Sequence, residues 1–70
     1  MPRTEQEILN DFEKLGWKIY LNDDIDLILL DFHISKIHIW KSKQAFLIPH
    51  FVDIQVHKLL HELFTVWGWF

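Results

Sequence analysis

The chain has 70 residues, a net charge of −3, a half-hydrophobic and 16% aromatic composition, and no cysteine. That length makes one domain, and the missing thiols exclude disulfides and thiolate zinc sites as its means of stabilisation. The acidic balance opposes any general attraction to nucleic acid or anionic lipid.

A chain this short buries only about 60% of the surface its unfolded form exposes. An apolar share of one half therefore leaves hydrophobic side chains at the surface or against another chain.

The segment "TEQE", 4–7, reads as a capping box in which Thr4 accepts from the amide of Glu7 and Glu7 reaches back to Thr4. Ile8, Leu9, Phe12 and Leu15 follow at helical spacing. Gly16 stops the helix as a left-handed residue, and Trp17 packs back over the last turn. The stretch "WKIYL", 17–21, alternates and predicts a strand with Trp17, Ile19 and Leu21 on one face. "NDD", 22–24, is turn chemistry. "IDLILLDF", 25–32, is apolar on both parities in its middle, and "ISKIHIWK", 34–41, alternates again. "SKQ" makes a further turn, and "AFLI" a short fourth strand or extended segment that Pro49 ends.

From Asp53, a residue suited to an N-cap, the period returns to 3.6. Val56, Leu59, Leu60, Leu63, Phe64 and Trp67 form one stripe. Gly68 stands where a cap glycine belongs, with Trp69 where it folds back onto the last turn. No linker, repeat or low-complexity segment interrupts the order α-β-β-β-(β)-α. It predicts an α+β two-layer domain, an antiparallel meander with both helices packed on one face.

The longest apolar run is "LILL", 27–30, too short to span a membrane, and the start "MPRTEQEI" lacks the apolar stretch of a signal peptide. The expectation is a cytoplasmic protein.

Chemistry is poorly supplied. There is no G-x-S-x-G nucleophile elbow, and the only glycines, Gly16 and Gly68, sit at helix ends, which leaves no phosphate cradle. A non-enzymatic protein without a cofactor is expected. His57 and His61 in "HKLLH" have the i, i+4 spacing that chelates zinc on a helix. No Glu follows His57, however, and a third ligand would have to come from Glu62, His50 or a remote residue. The same two histidines flank the apolar stripe and serve equally well to cover the edge of the core. Asp23, Asp24 and Asp26 cluster, with Asp24 and Asp26 on one strand face, as a Mg²⁺ pair or as a solvated turn.

Helix–three strands–helix is also the order of double-stranded RNA-binding domains, so the chain resembles them in topology. The segment matching their basic helix, "VDIQVHKLLHE", holds one lysine, Lys58, and two acids. Lys36, Lys41 and Lys43 supply at most a small basic edge, so nucleic acid is not the expected partner.

The second face of the sheet is different. With Trp17, Ile19, Ile37 and Ile39 toward the helices, alternation turns Tyr20, His38 and Trp40 the other way. Either Ile28 and Leu30 or Leu27 and Leu29 join them. Such a face is normally polar, whereas Tyr and Trp are enriched at binding hot spots. Tyr20, His38 and Trp40, extended by Trp69 and Phe70, are the expected interface for a second copy or another protein partner.

The layout "TEQEILNDFEKLGWKI", a short meander and "HKLLHELFTVWGW" resembles small uncharacterised proteins of Gram-positive bacteria and their phages. The resemblance spans the whole chain in outline. It implies an accessory protein of a bacterial or prophage gene and no catalytic residues.

Overall fold

Thr4 fixes where the chain begins to wind. In the computed structural model, which describes residues 3–70, its hydroxyl accepts from the Glu7 amide at 3.2 Å while its own amide donates to Glu7 Oε1 at 3.0 Å. Helix α1, Glu5–Lys14, follows, with Ile8, Leu9 and Phe12 buried.

Both helices stop in the same way. After α1, Gly16 takes φ +99°, its amide donates to Glu13 O at 3.0 Å, and the Trp17 amide donates to Phe12 O at 3.1 Å. These are the paired bonds of a Schellman turn, and the Trp17 ring meets Phe12 edge-on at 6.1 Å. After α2, Ile54–Val66, Gly68 takes φ +77°, its amide reaches Thr65 O at 3.0 Å and the Trp69 amide reaches Phe64 O at 2.9 Å. Trp69 then stacks on Phe64 at 4.7 Å. One pattern, Phe-x-x-apolar-Gly-Trp, therefore closes both helices, as "FEKLGW" at 12–17 and "FTVWGW" at 64–69.

Between the helices lie β1 (Lys18–Asn22), β2 (Leu27–Phe32), β3 (Ser35–Trp40) and β4 (Ala45–Leu47). They form one antiparallel sheet in chain order. The fourth segment does pair, His38 facing Leu47 and Trp40 facing Ala45. A single 3-10 turn, Lys41–Lys43, and a left-handed Gln44 (φ +52°) bring it back alongside β3. Asp24 and Asp26 do not share a strand face, because β2 begins at Leu27 and Asp26 is left-handed within the preceding turn.

Ile28, Leu30, Ile37 and Ile39 face the helices and join Trp17, the α1 residues, and Val56, Leu59, Leu60, Leu63 and Phe64 of α2 in one core. The result is the α+β two-layer domain, both helices on one side of the meander. Leu21 has the same inward parity yet is 62% exposed on the edge strand. No helix among the described residues is long and apolar enough to cross a membrane.

The helices run antiparallel, and polar contacts tie their ends. Arg3 binds Glu62 of α2 through Nε at 3.0 Å and through a terminal nitrogen at 2.7 Å, and also pairs with Asp11 of α1. Glu5 accepts from Lys41 Nζ at 2.8 Å.

Candidate functional site

Cross-strand register builds the outer face in rows. Tyr20, Leu29, His38 and Leu47 stand opposite one another across all four strands, and Asn22, Leu27, Trp40 and Ala45 form the next row. Antiparallel partners share a face, so both rows point away from the helices. Tyr20 is 51% exposed and Leu47 61%, while Leu27, Leu29, His38 and Trp40 are half-buried by one another. The His38 and Trp40 rings, two residues apart on β3, lie nearly parallel at 5.7 Å and 15°. The third row, Lys18, Asp31 and Lys36, is charged, with Lys36 Nζ 2.7 Å from Asp31 Oδ1. At the opposite end of the strands lies the turn carrying Asp23, Asp24 and Asp26. The face is an apolar centre between a row of Lys18 with the paired Asp31 and Lys36 at one end and, at the other, the Asp23–Asp26 turn beside the Lys41–Lys43 turn, whose Lys41 amide donates to Asp26 O at 3.0 Å.

Tyr20, His38 and Trp40 are thus brought together as the alternation predicts, and Leu27, Leu29 and Leu47 join them. Leu47 was not legible as a member, because its parity depends on the pairing of a three-residue strand. Trp69 and Phe70 are not part of this face. The Schellman turn folds Trp69 back on the helix side, where it is half-buried against Phe64 and 6.4 Å from Phe46, an inward residue of β4. Phe70 lies over His61 at 4.9 Å and 18°, also on α2.

His57 and His61 are exposed on one side of α2 and border a depression of about 190 Å³ with Phe46, Ile48, Phe64 and Phe70. Among the described residues no three His, Cys, Asp or Glu side chains gather as a metal would need. His61 is occupied by its aromatic stack. The lysines considered as a basic edge are partly neutralised, Lys36 by Asp31 and Lys41 by Glu5.

A groove of about 380 Å³ between the helices is lined by Asp11, Lys14, Leu15, Lys58, Leu59 and Glu62. The perturbed acids of the molecule have structural causes. The hydrogen bond from Arg3 holds Asp11 below its usual value. The Thr4 backbone amide and side chain do the same for Glu7. For Glu5, burial pushes upward, but hydrogen bonds from Lys41 and Trp67 and the Lys41 charge prevail and hold it low.

No family model, curated protein or solved structure matches this chain. Its function is therefore argued from the chemistry of the face alone.

Proposed function

We propose that this is a small non-enzymatic accessory protein that acts through protein contact, associating with a second copy of itself across the outer face of its sheet. The observation that carries the reading is the apolar surface of Tyr20, Leu27, Leu29, Trp40 and Leu47 on a face that no helix among the described residues covers. In a sheet with helices on one side, that face is ordinarily polar.

Charge favours a second copy as the occupant. A two-fold axis lying between the faces and perpendicular to the strands sets Lys18 of one copy over the Asp23–Asp26 turn of the other. Apolar centre then meets apolar centre, with the sheets about 10 Å apart and the strands crossing at roughly 30°. Four strands spaced about 4.8 Å apart give a face less than about 20 Å across. That is small for a specific interface, so association depends on concentration. A reducing, cytoplasmic setting accords with a chain that uses no cysteine.

Light scattering across a hundredfold concentration range tests the proposal. The mass should rise above the 8.6 kDa of one chain, and Trp40→Ser should lower the mass reached at the top of the range while circular dichroism stays unchanged. A wild-type mass of one chain throughout, or a Trp40→Ser protein that associates as before, overturns it.

A further inference from the structure

We infer that β1 is a second association element, whose outer edge pairs antiparallel with β1 of another copy about a two-fold axis at Tyr20, joining two four-stranded sheets into one of eight. This rests on the sheet edge and stands apart from the outer-face reading.

The two edges of the sheet are unlike. β4 has three residues and runs through Ile48 into Pro49, which has no N–H to offer a ladder. β1 has five residues and no proline, and it pairs with β2 without a bulge. Its centre, Ile19, Tyr20 and Leu21, is apolar on both sides, and Tyr20 and Leu21 are both more than half exposed. Edge strands are usually blunted by charge, proline, a bulge or a covering element. β1 has one charge, Lys18, at its end.

The strand is complementary to itself. With Tyr20 opposite the second copy's Tyr20, Ile19 falls opposite Leu21 and Lys18 opposite Asn22, so all five residues pair. Apolar meets apolar, aromatic meets aromatic, and no like charges stand opposite each other. Lys18 of each copy also arrives beside the other's Asp23–Asp24 turn. A one-residue slip would set inward residues against outward ones. In the matched register Leu21, left uncovered by its own helices, gains an apolar neighbour on the helix side. The edge axis is normal to the sheet, whereas the proposed face axis runs parallel to it through the gap between the two faces.

The chain has no cysteine, so Tyr20→Cys introduces one thiol per molecule. Paired edges bring the two Cα atoms to about 4.5–5.5 Å, within disulfide reach, whereas stacked sheets hold them about 10 Å apart, out of reach. Under a mild oxidant Tyr20→Cys should run as a covalent dimer, and adding Leu21→Lys, which leaves the outer face untouched, should abolish the link. Asn22→Cys alone should not link, because its opposite number is Lys18. The double variant Lys18→Cys/Asn22→Cys should link, and this serves where Tyr20→Cys fails to fold. Linking of Asn22→Cys as readily as Tyr20→Cys, or no linking in either pairing variant while wild-type protein still associates, overturns the edge and leaves the outer face standing. A wild-type protein that stays monomeric overturns both.

Discussion

The indole Nε1–H of Trp67 donates to Glu5 Oε1 at 2.6 Å, joining the C-cap of α2 to the first residue of α1. Lys41, in the turn before β4, binds the same carboxylate oxygen at 2.8 Å and lies 5.3 Å from the centre of the Trp67 ring. One carboxylate thus ties three segments that are remote in sequence. Trp67→Phe keeps an aromatic ring at the site but removes the donor and the indole's second ring, so it should lower unfolding stability by about 1–2 kcal/mol. Trp67→Ala also loses packing against Phe64 and should cost roughly 2–4 kcal/mol. A domain of this size holds only about 3–5 kcal/mol, so the alanine variant should be largely unfolded in urea titrations that the phenylalanine variant survives.

The same carboxylates set the response to acid. Glu5, Glu7 and Asp11 are all held below their ordinary values of 4.5, 4.5 and 3.8 in the folded protein. The unfolded chain therefore binds protons first as pH falls, and acid favours unfolding. Their contribution is complete above the ordinary values and disappears as pH drops through the lowered ones. Denaturation midpoints between pH 2 and 7 should be flat above about pH 5 and fall below about 4.5. Glu5→Gln should lower the plateau by about 1 kcal/mol after solvent screening and make the acid limb shallower. An unchanged limb would show that Glu5 does not sense pH through Lys41 and Trp67.

The twin helix stops give a paired test. An added Cβ at Gly16 would lie 2.9 Å from Cε2 of Phe32, while at Gly68 it would meet nothing within 4 Å. Both glycines have positive φ, so Gly68→Ala should cost about 1–2 kcal/mol from backbone strain alone. Gly16→Ala adds displacement of a ring packed on Trp17 at 5.3 Å and should cost clearly more. Equal losses in urea melts would mean that Phe32 yields without penalty.

These stops also show what was legible in the sequence. Capping residues, helical periods and the two glycines mark both helices, because each signal depends on neighbours within one or two turns. The two parities of β2 could not be resolved locally, since Leu27, Ile28, Leu29 and Leu30 are equally apolar. Only the register with β1 and β3 decides that Ile28 and Leu30 face in. Asp26 and Leu47 escaped for the same reason, since a left-handed turn and a three-residue strand are fixed by tertiary pairing. Trp69 carried two readings, helix stop and interface, and the stop geometry takes it to the core. The shared Phe-x-x-apolar-Gly-Trp pattern is visible in the text of the sequence, but six residues are too few to register as a structural repeat.

The aromatic end divides between its two last rings. Trp69 is half-buried, stacked on Phe64 and alongside Phe46, so its indole completes the core where α2 stops. Phe70 is 76% exposed and touches the fold mainly through His61. Trp69→Ala should therefore cost roughly 2–4 kcal/mol by removing packed aromatic surface, and Phe70→Ala less than about 1 kcal/mol. Neither ring lies on the outer face, so Phe70→Ala should leave the concentration dependence of the mass in light scattering unchanged, in contrast to Trp40→Ser. Should Phe70→Ala instead dissociate the protein while its melting curve stays put, the association surface lies over α2 and His61, and the sheet face loses its claim.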